Sequence, residues 1–308
     1  MMKRNVIVSI FPTYQCSLNC NFCYLYNRHD KTLLDLDILK QRLTQLSTYY
    51  NIHKFNLYGG EITLLDTQYL VELNNILDAF PVDNYITSNF YDINKLQIFK
   101  NAKISTSLNK ERTDYEYIRN LLKKRVIGKG VSVLSMITPS IINTNPLDVL
   151  LEYNDLNLTY LSFIKYYPSI KTGDVFNISH HVYQNTLKEL VKCYYDNRSL
   201  FDYELGTITG LDAALSRDYP IATNDQCIRI SPEGKFGAIY YDENNLEDFV
   251  WYDDLIQYEY DCEIEKQEYL NKCGFCKYYG NCWTEHITRE KCDGCKELLD
   301  WWSTYKYE

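Results

Sequence analysis

The chain lacks the features that would place it in a membrane or along nucleic acid. No apolar run approaches the roughly 20 residues that cross a bilayer. The formal net charge is −9 and no Lys/Arg-rich block is present, so attachment to duplex nucleic acid is not expected. Lys3 and Arg4 precede an apolar run that stops at Pro12, which favours a first strand over a signal peptide.

Proline and glycine are scarce, with 7 and 12 residues among 308. The chain is 45% hydrophobic and 24% charged, a globular balance that suits one large domain and one small one. The 30 tyrosines are scattered through every segment, and we interpret them as compositional bias. The 11 cysteines cluster towards the two ends in metal-ligand spacings, unlike a secreted disulfide scaffold. We therefore expect a soluble, cytoplasmic protein.

The first cysteine group is Cys16, Cys20 and Cys23, spaced Cys-x3-Cys-x2-Cys. Three thiolates on one loop can hold three irons of a [4Fe–4S] cluster and leave the fourth iron open to a ligand. A structural zinc site would need a fourth cysteine or histidine nearby, and His29 is the only local candidate. The spacing therefore favours an iron–sulfur cluster.

The first half of the chain alternates strand and helix patterns. Strands are predicted over 6–11, 54–58, 84–88, 103–108, 131–138 and 159–164. Helices are predicted over 36–46, 70–80, 93–99, 115–122 and 147–153. Six such units in succession indicate an α/β protein with a parallel sheet, closed as a barrel or doubly wound.

The pattern changes after residue 164. We predict a helix over 183–194, a hairpin of 227–230 with 236–241, and a last helix that holds Trp301 and Trp302. A domain boundary is placed near residue 200, which gives domains of 1–200 and 201–308.

The cysteine motif, with Phe22 before its third cysteine, resembles the signature of the radical S-adenosylmethionine (SAM) superfamily. The resemblance implies a partial (β/α)6 TIM-like barrel with its cluster loop after the first strand, where barrels keep their chemistry. It also implies that SAM chelates the open iron and is cleaved by one electron into methionine and a 5′-deoxyadenosyl radical, which abstracts hydrogen from a substrate. An electron donor such as flavodoxin or ferredoxin is implied as well.

Two further motifs follow in that family's order. Gly59-Gly60-Glu61 resembles its Gly-Gly-Glu motif, which contacts the SAM amino group, and glycines let backbone approach a ligand closely. Glu61 can accept hydrogen bonds from an ammonium group, or it is a solvated loop carboxylate. Ser88-Asn89 resembles part of a Thr-Asn-Gly segment near the SAM carboxylate or ribose, with Phe90 where glycine is usual, so a different local turn is expected.

Weaker matches lie further along the chain. Ser107-Leu108-Asn109 resembles a Ser-Leu-Asp stretch in which the serine reaches the ribose, although Asn109 replaces the usual aspartate. Met136 either flanks adenine or packs in the core. The backbone from Tyr24 to residue 26 is expected against adenine, while the tyrosine rings can equally pack against the protein.

The second cysteine group resembles the auxiliary-cluster domains called SPASM and twitch. The resemblance implies one auxiliary [4Fe–4S] cluster held by Cys273, Cys276, Cys282 and Cys292, with Cys295 as the alternative to Cys292. Zinc is the rival ligand, since two Cys-x2-Cys pairs also build zinc ribbons.

A second, irregular auxiliary cluster is left open. The full SPASM pattern has seven cysteines, but one expected near residues 238–241 is missing and His286 stands in place of another. Cys227 and Cys262 can join His286 in such a cluster. Cys227 has another option, because a thiol that faces a substrate radical can donate a hydrogen atom, as in radical SAM peptide epimerases.

These features predict a radical SAM maturase that modifies a peptide or protein residue by a crosslink, epimerisation or oxidation, because SPASM and twitch enzymes mostly act on such substrates. The alternative is a twitch-type enzyme for a small molecule or cofactor precursor. A third hypothesis is a non-enzymatic iron–sulfur or zinc module. Since Cys16 lies close to the first residue, no N-terminal precursor-recognition domain is expected, and a leader peptide would bind the barrel or a separate protein.

Overall fold

The computed structural model describes residues 3–25, 30–126, 130–173, 175–176, 178–216, 224–241, 247–279, 281–282 and 295–306. The chain falls into two compact units. The first comprises residues 1–106, 168–173 and 224–266, and the second comprises residues 107–167, 174–223 and 267–308.

The described residues form ten strands and ten α-helices. The strands are β1 Arg4–Ile10, β2 Tyr50–Leu57, β3 Asp83–Thr87, β4 Lys103–Ser107, β5 Val131–Met136, β6 Leu158–Ile164, β7 Glu204–Leu205, β8 Cys227–Ile230, β9 Phe236–Tyr241 and β10 Glu247–Tyr252. The helices are α1 Leu36–Tyr49, α2 Thr67–Asp78, α3 Ile93–Leu96, α4 Tyr115–Lys123, α5 Pro139–Ile142, α6 Pro146–Leu151, α7 His180–Asp196, α8 Gly206–Ser216, α9 Leu255–Cys273 and α10 Lys296–Tyr305.

The sheet of the first unit has the strand order β10-β9-β8-β1-β2-β3-β4. β8, β1, β2, β3 and β4 run parallel, whereas β9 and β10 continue the sheet as an antiparallel meander. Since parallel strands end at the same edge of a sheet, the segments that follow β1, β2 and β3 meet there.

Helix α1, which follows β1 in the chain, is defined by a capping residue and by one buried face. Asp35 caps the helix by accepting hydrogen bonds from the backbone N–H groups of residues 37 and 38, at 2.8 and 3.1 Å, which satisfies donors without an intrahelical partner. Leu39, Leu43 and Leu46 are 0–1% exposed and share one face of the helix. β2 begins at Tyr50, directly after the helix, so no loop residues separate α1 from β2.

The second unit has a parallel sheet of β5, β6 and β7. Its last helix, α10, is fixed to α8 by the Trp302 indole, whose Nε1–H donates to Asp212 Oδ1 at 2.8 Å. Trp302 is fully buried, so this contact combines a satisfied indole donor with a large apolar area.

The predicted strands β1 to β6 are all present, and each is followed by helix, which confirms the α/β class. Helices α8 and α9 and the third meander strand, β10, were not predicted. Gly206 and Gly210 of α8 have low helix propensity, but Leu211 and Ala214 are buried, and tertiary packing outweighs propensity there. The domain boundary near residue 200 stays a prediction.

Candidate functional site

The first cysteine group lies on the loop that leaves β1. The loop is anchored at its start, since the Phe11 N–H donates to the Ile230 carbonyl at 2.9 Å and the Leu34 N–H donates to the Pro12 carbonyl at 2.9 Å. Cys16, Cys20 and Cys23 are half-buried. A turn joins the last two, because the Cys23 N–H donates to the Cys20 carbonyl at 3.2 Å.

Gly59 and Gly60 hold the entry of this loop by direct backbone contact. The Gly60 N–H donates to the Thr13 carbonyl at 2.9 Å, and the Glu61 N–H donates to the Gln15 carbonyl at 2.8 Å. A Cβ at Gly60 would lie 2.0 Å from the Gln15 carbonyl oxygen, and Gly59 has φ +135°. Both positions therefore require glycine.

The Glu61 carboxylate is 1% exposed and fully engaged by the protein. Its Oε1 accepts hydrogen bonds from Thr63 N, Thr63 Oγ1 and Ser88 Oγ at 2.9, 2.6 and 2.7 Å. Its Oε2 accepts the Asn89 backbone N–H at 2.5 Å. The alternative of a solvated loop carboxylate is therefore wrong: Glu61 joins the end of β2 to the end of β3.

Asn89 extends this connection to the cysteine loop. Its Oδ1 accepts the Tyr91 N–H at 3.1 Å, while its Nδ2 donates to Cys16 Sγ at 3.6 Å and to Ser17 Oγ at 3.3 Å. Phe90 adopts φ +62°, the left-handed conformation that glycine adopts most easily. Phe90 therefore keeps a glycine-like φ, and the expectation of a different local turn stays a prediction.

The structure thus brings Cys16, Gly60, Glu61, Ser88 and Asn89 together at one edge of the sheet. Among the described residues, no three His, Cys, Asp or Glu side chains lie close enough together to hold a metal ion. The donor chemistry nevertheless fits a [4Fe–4S] cluster, because three cysteine sulfurs lie on one anchored loop and such clusters take thiolate ligands.

Tyr24, next to Cys23, packs in an aromatic cluster. Its ring stacks on Phe249 with centroids 5.5 Å apart, and Phe249 stacks on Trp251 at 5.3 Å. Phe11 meets both rings edge-on at 5.9 Å, a favourable aromatic geometry. The Tyr24 ring therefore has a packing role, and the predicted contact of its backbone with adenine stays a prediction.

Cys227 begins β8 and lies beside Ile7 of β1. Its thiol is buried, with Sγ 3.6 Å from Ser9 Oγ. Nearby Tyr58 has a raised pKa, chiefly because it is buried, against an opposing effect of the Arg229 guanidinium. Both roles suggested for Cys227, hydrogen-atom donor and auxiliary ligand, stay predictions.

Ser107, Asn109 and Met136 lie together in the second unit. Asn109 Oδ1 accepts the Met136 N–H at 2.5 Å, and the Ser107 carbonyl accepts Arg112 Nη1–H at 2.8 Å. An amide oxygen accepts the Met136 N–H as a carboxylate oxygen would, so this bond does not require an aspartate at position 109. Their predicted contacts with SAM stay predictions.

The second cysteine group also lies in the second unit. Cys273 ends α9 and its carbonyl accepts the Cys276 N–H at 2.8 Å, whereas the buried Cys295 precedes α10 and its carbonyl accepts the Leu299 N–H at 2.8 Å. Cys282 is half-buried. Cys292 and His286 lie outside the described residues. Cys262 of α9 is buried in the first unit, and burial raises its pKa to about 12.

Asp300 of α10 connects the helix to the Cys273–Cys276 turn. Its Oδ1 lies 2.6 Å from Lys277 Nζ and accepts the Tyr278 hydroxyl at 2.9 Å, while its Oδ2 lies 2.6 Å from Lys296 Nζ. Hydrogen bonds from the two lysines hold the Asp300 pKa well below its usual range. This ion-pair network connects Lys277, next to Cys276, with α10, which begins directly after Cys295.

No protein-family model and no curated protein sequence matches the chain. Solved structures do match. One is anSMEcpe with bound AdoMet and Cp18Cys peptide, with TM-score 0.69 and 15% identity over 98% of this chain and 97% of that one. With Kp18Cys peptide the same protein gives TM-score 0.70 at 15% identity and the same coverage. Both are structures of a radical SAM enzyme.

The chain has the fold of the radical SAM enzymes. The predicted α/β class with a partial (β/α)6 TIM-like barrel is thereby confirmed, and this fold is the one that the cysteine-motif resemblance implies. Streptococcus suis SuiB bound to precursor peptide SuiA is also similar, with TM-score 0.56 and 15% identity over 76% of this chain. The alignment covers 59% of SuiB, so the chain spans about three fifths of that protein.

Within the radical SAM fold, the cysteine loop occupies the C-terminal end of the first strand, as predicted. In the part of the chain that the structure describes, no helix has the length and apolarity to span a bilayer.

Proposed function

We propose that the protein is a SAM-dependent radical enzyme that modifies a residue of a peptide or protein. The observation that carries the proposal is the Cys-x3-Cys-x2-Cys loop at the end of β1, which is hydrogen-bonded by the backbone of Gly60 and Glu61 and by the Asn89 side chain. The backbone of the Gly-Gly-Glu turn bonds the residues just before Cys16, and the chain has the fold of radical SAM enzymes, which supports a role of the three cysteines as cluster ligands.

When bound, the reduced cluster supplies the electron that cleaves SAM and so generates the hydrogen-abstracting radical. Cys16, Cys20 and Cys23 would hold the cluster. Gly59 and Gly60 keep side-chain atoms away from the Thr13–Gln15 backbone. The Glu61 carboxylate accepts hydrogen bonds from Thr63, Ser88 and Asn89. We therefore propose that Glu61 shapes the SAM site by holding these neighbours in place, rather than by a contact of its side chain alone.

A peptide or protein substrate is favoured by the match in length and fold to anSMEcpe, whose structures contain peptides. SuiB, described with a precursor peptide, has a related fold. The outcome is a crosslink, an epimerisation or an oxidation, and a flavodoxin or ferredoxin would supply electrons.

An auxiliary [4Fe–4S] cluster on Cys273, Cys276 and Cys282, with Cys292 or Cys295 as the fourth ligand, belongs to the same proposal. Its support is the fixed framework around these residues, in which Asp300 joins Lys277 to α10. We expect roughly eight irons per chain after anaerobic reconstitution, which matches two four-iron clusters.

The first experiment is anaerobic reduction of the reconstituted full chain with SAM, followed by chromatography for 5′-deoxyadenosine. Wild type should form it, and a Cys16→Ala, Cys20→Ala, Cys23→Ala variant should not. A Cys193→Ala variant is the matched control, since Cys193 lies on α7, far along the chain from either cysteine group. No 5′-deoxyadenosine from the iron-loaded wild type would refute the proposed enzyme class.

The second experiment adds a peptide encoded by a short open reading frame beside the gene and reads its mass. Loss of two hydrogens indicates a crosslink or oxidation, and unchanged mass in H2O with deuterium uptake in D2O indicates epimerisation. SAM cleavage without any change in such peptides would favour the small-molecule alternative.

A further inference from the structure

We infer that Asn89 is a positioning residue that sets the reduction potential of the N-terminal cluster through a hydrogen bond to Cys16. The inference rests on the proposed function, because it requires a cluster on Cys16, Cys20 and Cys23. It assigns Asn89 to the sulfur of a ligand, whereas the family resemblance assigns this segment to SAM.

The orientation of the Asn89 amide is fixed by its neighbours. Its Oδ1 accepts the backbone N–H of Tyr91 at 3.1 Å, a role that the amide NH2 group cannot fill. The NH2 group is therefore turned the other way, towards Cys16 Sγ at 3.6 Å and Ser17 Oγ at 3.3 Å. This pattern settles the assignment of the amide oxygen and nitrogen by chemistry.

The backbone of Asn89 is fixed as well. Its N–H donates to Glu61 Oε2 at 2.5 Å, and Glu61 is itself buried and held by Thr63 and Ser88. The next residue, Phe90, has a fully buried ring. The residues that fix the Asn89 backbone, Glu61 with Thr63 and Ser88, thus follow β2 and β3 and lie outside the cysteine loop itself.

Among the described residues, Asn89 Nδ2 and the backbone N–H of Leu18, at 3.5 Å, both donate towards Cys16 Sγ. Hydrogen bonds to cluster sulfurs stabilise negative charge on the cluster. The reduced cluster carries one more negative charge than the oxidised cluster, so donors favour the reduced form. The Asn89 donor therefore raises the reduction potential.

The test uses two substitutions that keep the turn and change the donor. Asn89→Ser leaves a hydroxyl that can accept the Tyr91 N–H but is too short to replace the amide at Cys16. Asn89→Asp keeps the same turn and presents an oxygen in place of the nitrogen. Ser17→Ala is the matched control, because it removes the other partner of Asn89 Nδ2 and leaves the Cys16 contact.

The full chain is reconstituted anaerobically, and the cluster whose electron paramagnetic resonance signal responds to SAM is titrated against potential. Asn89→Ser should lower the ratio of reduced to oxidised cluster about tenfold at a fixed potential, which corresponds to a reduction potential lower by 59 mV for one electron. Asn89→Asp should lower it further, and Ser17→Ala should not change it. Iron content is measured in every variant.

Different outcomes refute the proposed function and the role of Asn89. Absence of a SAM-responsive cluster in wild type would refute the proposed function itself. Equal potentials in wild type, Asn89→Ser and Asn89→Asp, with a SAM-responsive cluster present in all three, would refute the inference and leave the proposed function standing.

Discussion

Gly60 lies so close to Gln15 that a Cβ at Gly60 would be 2.0 Å from the Gln15 carbonyl oxygen. Gln15 immediately precedes the first cysteine of the N-terminal group. The glycine is therefore required by the protein itself, before any ligand binds, because backbone atoms on the Gln15 side cannot swing away as a flexible side chain can.

Gly60→Ala should displace the cysteine loop, at a cost of about 1–3 kcal/mol from overpacking. We expect reconstituted Gly60→Ala to bind far less iron in its N-terminal site and to lose SAM cleavage. Iron analysis and 5′-deoxyadenosine formation provide the measurements. Gly173→Ala is the control: Gly173 also has positive φ, +61°, but nothing lies within 4 Å of its Cβ position. Equal losses in the two variants would contradict the steric explanation.

Glu61→Gln should destabilise the first unit by about 1–3 kcal/mol. Both carboxylate oxygens accept hydrogen bonds, and a glutamine must turn its NH2 group towards one of those donors. Urea unfolding at pH 7 measures the loss. Glu72→Gln, on the exposed face of α2, should change stability by less than about 0.5 kcal/mol. A Glu61→Gln variant as stable as wild type would show that the buried network is dispensable.

Phe90 combines a strained left-handed backbone with a fully buried ring, and the two affect stability in opposite directions. Its left-handed conformation costs roughly 1–2 kcal/mol, whereas removing a fully buried phenylalanine ring costs about 3–5 kcal/mol. Burial is the larger effect, so Phe90→Gly should be less stable than wild type. Phe90→Ala should be less stable than Phe90→Gly, since alanine loses the ring and keeps the strain. Thermal unfolding of the three proteins gives the order, and Phe90→Ala above Phe90→Gly would contradict it.

Asp300→Asn should loosen the second cysteine group. Because the pKa of Asp300 is depressed in the folded chain, its stabilising effect is present above the ordinary aspartate pKa, near 3.9, and is lost as pH falls below about 4. At pH 7 we expect a fall in melting temperature of about 1–3 °C, because the ion pairs are partly exposed. The difference from wild type should shrink towards pH 3.

A matched control for this variant is Asp37→Asn, which removes a single exposed pair with Lys40. It should shift the melting temperature by less than about 1 °C. A difference between wild type and Asp300→Asn that persists unchanged at pH 3 would argue against an electrostatic origin.

The sequence predicts the parallel core of the fold well, because the apolar runs of β1 to β6 and the helical spacing between them are local patterns. It does not predict α9, whose buried positions, such as Tyr258 and Cys262, are separated by charged residues. Nor does it indicate β10, which is stabilised by pairing with β9 across the sheet. The Tyr258 hydroxyl of α9 donates to the Asn224 carbonyl, and the Phe249 and Trp251 rings of β10 pack on Phe11. Both elements therefore also depend on residues far away in the sequence.

The candidate site, too, could be predicted from the sequence only in part. The cysteine spacing and Gly59-Gly60-Glu61 are visible in the sequence because they are contiguous. The bonds of Glu61 to Thr63 and Ser88, and of Asn89 to Cys16, depend on two strand ends meeting at one edge. Asn89 was singled out by a motif, but its sulfur partner lies 73 residues away, and no spacing rule connects the two.

The hydrogen bonds from Gly60 and Glu61 to Thr13 and Gln15 are made entirely by protein backbone. We therefore expect this stretch to fold without a metal, in contrast to small zinc modules that are unfolded until metal arrives. If the proposed cluster binds here, it should be possible to load it onto a polypeptide that is already folded.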